Sequence, residues 1–267
     1  QWRFSVNWRM FKYLSVEAGF AEQAVNITDD YLFGTSTENV TAGIKSYNFS
    51  EAFVGFRYAF REEILRTNQM DISTGSDFPI VWLTAARGLN NAWNGNYEYW
   101  KVDAKLEHSF IIKNLGTEHF QISAGFVSND MPYTKLYKAK ANSPSLYVAS
   151  ENTFETMNIN EFLANKYVTF FHRHNFGSLL FKTEKFSPSV ILVNNIGFGW
   201  LESPENHLNV PAQSFGKGFF ETGLRLDNLL KLNFSGFGAG VFYRYGSYQK
   251  PELKDNLAVK FSLTFVI

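Results

Sequence analysis

The chain has 267 residues, a formal net charge of zero and no cysteine. A neutral chain gives no electrostatic reason to expect nucleic acid as a partner, and the lack of cysteine excludes disulfides and thiolate metal sites within these residues. No stretch of about 18 consecutive apolar residues occurs, which excludes a transmembrane helix. Aromatic residues are abundant, with 28 Phe and 13 Tyr, so the fold must place large apolar surfaces.

Eleven β-strands are predicted from segments in which apolar and polar residues alternate, because successive side chains of a strand point to opposite faces. In chain order they are 2–10, 13–21, 51–61, 79–88, 97–112, 118–128, 166–177, 189–201, 218–227, 236–246 and 256–267. These segments exceed the about five or six residues of an ordinary soluble strand. They match the about nine to eleven residues that a strand needs to cross a bilayer.

The two faces of the predicted strands differ in chemistry. The closing strand has one apolar parity that is predicted to face lipid, formed by Leu257, Val259, Phe261, Leu263, Phe265 and Ile267. The opposite parity of the strands carries charges that are predicted to face a lumen: Arg57, Arg61, Asp103, Lys105, Glu107, Arg173, Glu221, Arg225, Arg244 and Lys260. Two interpretations of this polar face stay open. It is a channel wall or docking surface for a long loop, or a solvated wall whose charges pair with one another.

Short and long connections alternate along the chain, as they do in transmembrane barrels. With the C-terminus on the inner side, the predicted outer connections are 22–50, 89–96, 129–165, 202–217 and 247–255. The inner connections are mostly shorter, but 62–78 is long and either holds a periplasmic element or reflects a misplaced strand. The predicted fold class is all-β, a transmembrane antiparallel outer-membrane β-barrel.

The odd strand count has a consequence for the domain organisation. Bacterial single-chain barrels have even strand counts, and an open edge inside lipid leaves backbone groups unpaired at several kcal/mol each. We therefore expect residues 1–267 to be the C-terminal portion of a longer barrel whose first strands and periplasmic domain precede Gln1. The alternative is one miscounted strand and a complete barrel of twelve.

The predicted barrel resembles the BamA/TamA-type outer-membrane assembly superfamily. Those barrels have sixteen strands, and their longest functional loop lies between the eleventh and twelfth. Counted back from 256–267 as the sixteenth strand, the longest connection of this chain, 129–165, falls at the same place. The resemblance fails at one motif. The superfamily loop carries an Arg-Gly-aromatic motif, whereas 129–165 has no arginine and only Lys135, Lys138 and Lys140 as basic residues.

A second resemblance is to an uncharacterised Bacteroidota family whose members carry a carboxypeptidase-regulatory-like domain before such a barrel. The similar stretches are "DFPIVWLTAARGL", "YEYWKVDAKLEHSF", "AGFVSNDMPYTKLYKAKANSP", "ETMNINEFLANKYVTFFHRHNF" and "FFETGLRLDNLLKL", which together span 77–232. The resemblance implies an N-terminal domain and several strands before Gln1.

Smaller motifs do not predict chemistry. His172 and His174 share a strand face, but no third metal ligand is evident beside them, and an interfacial position fits them better. His108 and Ser109 are adjacent in a strand and point to opposite faces, so they cannot form a nucleophile–base pair. We expect no catalytic residue, cofactor or metal. The segment 158–167 is predicted to form a short amphipathic helix that packs in or over the lumen, or else an ordinary turn.

The favoured function is that of a component or accessory subunit of a machine that inserts or exports envelope proteins. A weak seam beside the last strand would expose backbone groups that template an incoming strand. The alternatives are a passive solute channel and a structural scaffold barrel in an outer-membrane complex. The expected location is the bacterial outer membrane, with outer-membrane lipid, lipopolysaccharide and other envelope proteins as partners.

Overall fold

The computed structural model describes residues 1–27, 30–34, 46–66, 71–179, 188–210, 212–231 and 235–265. Within these residues the chain is all-β, apart from short 3-10 turns at Pro204–Asn206, Gly246–Tyr248 and Leu253–Asn256. No helix in the described part of the chain is long and apolar enough to cross a membrane.

One antiparallel sheet of eleven strands dominates the described structure, and each strand pairs with its neighbour along the chain in the sheet. Its members are β1 (Trp2–Phe11), β2 (Leu14–Asn26), β4 (Ser46–Ala59), β7 (Ile80–Gly88), β8 (Tyr99–Ile112), β9 (Gly116–Val127), β12 (Lys166–Asn175), β13 (Ser189–Trp200), β15 (Phe219–Lys231), β16 (Ser235–Tyr245) and β17 (Leu257–Phe265). The eleven predicted strands are thus confirmed in position and order.

Three two-stranded sheets complete the fold. They pair β3 (Leu32–Phe33) with β14 (His207–Leu208), β5 (Glu63–Arg66) with β6 (Asp71–Gly75), and β10 (Tyr137–Lys138) with β11 (Leu163–Ala164). The β5–β6 hairpin lies in the long inner connection 62–78. The connection is therefore long because it contains a structured element, and the strands on either side of it were placed correctly.

The sheet has two ends, named here by their connections. The turn end carries the tight β1–β2 turn and the β5–β6 hairpin, and the loop end carries the long connections. At the loop end β3 and β14 pair across from opposite parts of the sheet order, which a curved sheet allows. β2 and β4 extend about five residues further toward this end than predicted, because inward-facing Tyr47 and Phe49 are buried in a core beneath the loops.

One face of the sheet exposes apolar side chains, and the other face buries charged ones. The face turned away from the long connection 128–165 exposes large apolar side chains on nearly every strand, among them Phe4, Phe20, Phe56, Leu83, Phe110, Ile122, Leu192, Leu224, Val241 and Phe261. The other face buries charged residues such as Glu221, Arg244 and Lys260. A soluble protein normally buries its apolar residues and almost never fully buries unpaired charges, so this sheet has the surface chemistry of a barrel wall.

The two strands at the edges of the sheet are β1 and β17. In the described residues β1 pairs with β2 and β17 pairs with β16, and β1 and β17 do not pair with each other. The structure is therefore barrel-like without a paired seam.

One local prediction needs correction, and one open alternative is decided. Arg61 is not on a lumen-facing strand, because β4 ends at Ala59 and Arg61 lies in the following turn with a left-handed φ of 49°. Of the two alternatives for residues 158–167, the turn is the one the structure shows: a turn precedes the short strand β11, and no helix forms. Asn160 adopts a left-handed φ of 59°, and the Leu163 N–H bonds to the Gln213 carbonyl instead of to a preceding turn. Val266 and Ile267, at the end of the closing strand, lie outside the described residues.

Candidate functional site: a long loop anchored against the polar face

The connection between β9 and β12, residues 128–165, folds against the polar face of the sheet and is called the plug here. Its aromatic and apolar side chains form a core with the wall: Phe154, Met157 and Phe162 of the plug pack with Phe171 and Phe219. Each of these five is at most 1% exposed. The plug is thus an integral part of the packed structure and not a surface excursion.

Glu221 of β15 is the most enclosed anchor of the plug. Its carboxylate is fully buried and accepts hydrogen bonds from the backbone N–H of Glu155 (3.1 Å) and of Thr156 (2.7 Å). The Thr156 hydroxyl (2.6 Å) and the Asn195 amide (2.8 Å) donate to the same carboxylate. Four donors satisfy the charge where water does not, which is the condition for burying a carboxylate.

Lys260 of β17 binds a second part of the plug. Its ammonium donates to the backbone carbonyls of Asn142 (2.8 Å), Ser143 (2.6 Å) and Leu146. Glu155 lies 3.5 Å from the same nitrogen. An ammonium has three N–H groups and no acceptor, so three carbonyls use its full donor capacity, and the nearby carboxylate balances its charge.

Arginines of the wall hold the plug carboxylates. Arg225 and Arg173 both pair with Glu151, Arg225 at 3.0 Å. Arg244 pairs with Glu161 at 2.7 Å, and its guanidinium stacks 4.7 Å from the centroid of the Phe219 ring. Arginine suits such sites because its planar group both bonds to carboxylates and stacks on aromatic rings.

The plug is held without any arginine of its own because the positive groups of most anchoring ion pairs belong to the wall. Most of the cations come from the wall and bind carboxylates and backbone carbonyls of the plug, whereas at Glu221 the wall supplies the carboxylate and the plug supplies donors. Lys135 is the exception, since this plug residue pairs with Glu51 of β4 at 3.1 Å. The Tyr99 hydroxyl donates to the same carboxylate.

Residues 16–208 match the model of a family described as "Family of unknown function (DUF5686) C-terminal domain". The chain belongs to this family. No protein in the curated collection matches the chain. The family match contains the whole plug and its contacts with β4, β9 and β13, whereas β15 to β17, with Glu221 and Lys260, follow the matched range.

The other charges predicted for the lumen lie on the same face of this DUF5686-family domain and mostly pair with wall residues. Lys105 and Glu107 of β8 pair at 3.3 Å. Arg57 pairs with Glu62 beyond the end of β4. Asp103 lies beside the plug residue Tyr137. Charges of β12 to β17 therefore hold the plug, while Arg57, Lys105 and Glu107 pair with residues outside it.

The apolar parity of the closing strand faces away from the plug. Val259 and Phe261 are 64% and 61% exposed, and Leu257 and Leu263 are also exposed. The side chain of Phe265 and the whole of Ile267 lie outside what the structure describes.

The two histidines of β12 have a partner that their own sequence neighbourhood does not reveal. Glu118 of β9 accepts hydrogen bonds from His172 (2.7 Å) and His174 (2.6 Å) on the face of the sheet turned away from the plug. No group of three or more ligand residues in the described part of the chain is arranged to hold a metal ion. Glu118 was missed because cross-strand neighbours are set by register, which sequence periodicity leaves undetermined.

Ser109 also has a cross-strand partner. Its hydroxyl lies 2.7 Å from His119 Nδ1, while His108 points to the opposite face, as the strand parity predicts.

The plug anchors Glu151, Glu155 and Glu161 were not singled out by sequence reasoning, although they fall within eleven residues of "ENTFETMNINE". A cluster of acids in the longest loop, opposite strands rich in arginine and lysine, is the signal that points to them.

Proposed function

We propose that this protein is an integral outer-membrane β-barrel of the assembly and translocation superfamily. In this role it is a component or accessory subunit of a machine that inserts or exports envelope proteins. The observation that carries the proposal is the combination of an anchored plug on the polar face and an edge of β17 that, in the described residues, pairs only with a short plug segment at Phe261. A plug closes the interior, and an open edge offers a template for strands.

The outward apolar face supports the membrane location. Exposed Phe, Leu, Ile, Val and Trp side chains recur from β1 to β17. Burial of apolar surface yields about 25 cal/mol per Å², so a face of this composition is stable against acyl chains and unstable in water. Outer-membrane lipid and lipopolysaccharide are the partners that such a face fits.

The edge of β17 supports the assembly role. A strand edge presents N–H and C=O groups that pair with another extended chain. In a bilayer these groups must be satisfied, because each unpaired group costs several kcal/mol. An incoming strand that pairs with the edge would enter the membrane with the backbone groups on one of its two sides already bonded.

An insertion assay tests the assembly role. The full-length protein is placed in liposomes, and the folding rate of a urea-denatured eight-stranded outer-membrane barrel is measured against empty liposomes. We expect at least a tenfold acceleration. Wild-type protein that is folded in the liposomes but gives no acceleration would rule out the assembly role.

A single substitution locates the activity at the edge. The backbone N–H of Val259 faces away from β16, and proline is tolerated in an edge strand where its missing N–H faces outward. We therefore expect Val259→Pro to keep the barrel folded and to remove most of the acceleration. The matched control, Val241→Ala on the neighbouring strand, is expected to insert at the wild-type rate.

A scaffold barrel is the second candidate function. It is favoured by the β5–β6 hairpin at the turn end, which lies next to a cavity of about 310 Å³ lined by Arg9, Lys12, Arg57 and Glu62 among others. A structured hairpin beside a basic cavity is a place where a partner protein can dock. Co-purification of a defined complex that survives detergent and is lost on deletion of 63–75 would favour this role.

A passive channel is the third possibility, and planar-bilayer recordings separate it from the other two. The anchored plug leads us to expect small or intermittent conductance. A steady, large conductance from the wild-type chain would favour the channel instead.

A further inference from the structure

Three residues of the plug lie along the open edge of β17. The N–H of Ala149 donates to the carbonyl of Phe261 at 2.7 Å, and the N–H of Phe261 donates to the carbonyl of Tyr147 at 2.6 Å. Val148 is the bridge partner of Phe261, and the two chains run parallel there. The plug therefore makes a short strand pairing within the plane of the sheet, in addition to packing against its face.

The hydrogen bonds of Phe261 define which backbone groups face the edge. In an antiparallel pair, residues alternate between those bonded to the partner strand and those whose groups point the other way. Phe261 bonds to the plug, so Val259 and Leu263, two residues to either side, also direct their backbone groups away from β16. Among the described residues, neither Val259 nor Leu263 has a backbone partner on that side.

Adjacent residues of β17 hold this plug segment in two ways. The backbone of Phe261 bonds to Tyr147 and Ala149, while the side chain of Lys260 bonds to carbonyls between residues 142 and 146. The Asn142 amide donates to the Val148 carbonyl at 2.7 Å, which braces the segment from the other side.

The segment is weakly packed despite these bonds. Leu146, Tyr147 and Val148 are 49%, 69% and 50% exposed, and Ala149 is the member that packs on a buried cluster of the wall. A longer strand that pairs with Val259, Phe261 and Leu263 would make more backbone hydrogen bonds than this single bridge.

We propose that residues 147–149 are a resident strand, the plug's own occupant of a polypeptide-binding edge on β17, which an incoming extended segment must displace. The displacement rests on the proposed assembly role; the resident pairing itself does not. The ligand class is an extended polypeptide whose apolar side chains alternate, since its outward side chains would join Phe261 on the lipid-facing side.

A cysteine pair in the full-length protein, kept in its own membrane, tests the pairing. The 267 residues contain no cysteine, which leaves Val148→Cys with Phe261→Cys as a clean pair in this region. Bridge partners lie within the about 7 Å between Cα atoms that a disulfide allows. The control pair, Val148→Cys with Leu257→Cys, is four residues away along the strand, about 13 Å.

Under mild oxidation we expect the Val148–Phe261 pair to cross-link at least tenfold faster than the control pair. Equal rates, or no cross-link at position 261 in protein that resists protease as the wild type does, would overturn the resident pairing.

Hydrogen exchange gives a second test that does not depend on cysteine. Ala149→Pro removes the N–H that bonds to Phe261, and we expect exchange of the Phe261 amide to become at least tenfold faster. Val148→Pro is the matched control, because the two hydrogen bonds to Phe261 use the Ala149 N–H and the Tyr147 carbonyl and not the Val148 N–H. Unchanged exchange at Phe261 in Ala149→Pro would contradict the pairing.

Displacement is tested with the oxidised cysteine pair in the liposome insertion assay. We expect the locked protein to accelerate insertion at least fivefold less than the reduced protein, with recovery on addition of reductant. A locked protein that works at the full rate would refute displacement while leaving the pairing intact. A wild-type protein without insertion activity would refute the assembly role and leave the cross-linking result standing.

Discussion

The two flanks of the sheet carry the same sequence pattern and have opposite environments. In β1 and β2, Arg3 pairs with Glu17 at 2.9 Å, and the two side chains are 51% and 34% exposed. In β17, Lys260 lies 3.5 Å from Glu155 of the plug, and the two side chains are 0% and 2% exposed. Alternation placed the charges predicted for the lumen on one face; the plug then covered one flank of that face and not the other.

The comparison shows that an ion pair on the polar face contributes more to stability where the plug buries it. An exposed ion pair contributes about 0–1 kcal/mol because water and salt screen it. Removing one partner of a buried pair costs about 3–5 kcal/mol, because a charge is left without compensation. The β15–β17 flank is therefore expected to respond strongly to substitutions that the β1–β2 flank tolerates.

Glu221→Ala should show the largest difference between the flanks. It leaves the N–H groups of Glu155 and Thr156 buried without an acceptor, and it removes one of the two hydrogen bonds of the Asn195 amide, which keeps its bond to the Thr153 carbonyl. At about 1–3 kcal/mol for each unsatisfied group, undocking of the plug should become easier by about 4 kcal/mol. Native-state proteolysis of the plug measures this, with Glu17→Ala as the control that should change cleavage less than twofold.

Lys260→Met should have the next largest effect. Methionine keeps an unbranched side chain one atom shorter than lysine, but it removes three donors to plug carbonyls and the charge beside Glu155. We expect a loss of about 3 kcal/mol, seen as faster hydrogen exchange across 142–149. The matched Arg3→Met on the exposed flank should leave the exchange of β1 and β2 nearly unchanged; equal effects of both substitutions would remove the distinction between the flanks.

Alanine substitutions at two glycines compare the covered and uncovered parts of the polar face by packing instead of by charge. A Cβ on Gly197 would lie 2.8 Å from the Phe154 ring of the plug, whereas a Cβ on Gly55 would meet Thr84 at an ordinary 3.5 Å. We expect Gly197→Ala to destabilise the plug by about 1–3 kcal/mol through overpacking. Gly55→Ala should fall within about 0.5 kcal/mol of wild type, and thermal unfolding in detergent compares the two.

The smallest expected effect is at the loop end, where the pH dependence of stability reports on the burial of His207. Burial lowers the pKa of His207 below its ordinary value of 6.5, although Asp130 and Glu205 oppose the shift. The Tyr31 hydroxyl accepts from the Tyr133 N–H (3.1 Å) and donates to His207 Nδ1 (2.9 Å), which fits the neutral ring.

A lowered folded pKa means that the unfolded state binds the proton first as pH falls. The β3–β14 pairing should therefore have its full stability above pH 6.5 and lose stability as the pH drops below it. Hydrogen exchange of residues 31–33 at pH 7.5 and 5.5 measures the loss, and His207→Gln should remove the pH dependence. Equal pH dependence in His207→Gln would assign it to another group.

The strand positions could be predicted because they depend on local alternation. The pattern in "VGFRYAFR" or "LAVKFSLTFVI" assigns each residue to a face without knowledge of its neighbours. Where distant contacts decide the structure, local alternation predicted wrong strand ends or left two alternatives open. β2 and β4 continue past the apolar pattern because Tyr47 and Phe49 meet a core built from other loops, and residues 158–167 form no helix because β11 pairs with β10 inside the plug.

By itself the sequence determined the all-β class, the eleven strands and the face of each charge that lies within a strand, because a strand's period of two is a property of the local backbone. Tertiary structure decided which of those charges are anchors and where the plug ends. Glu118 joins His172 and His174 through cross-strand register, and Glu221 and Lys260 are buried because residues 65 and more than 110 positions away fold onto them. Contacts at such separations depend on how the whole sheet is assembled, which no local pattern encodes.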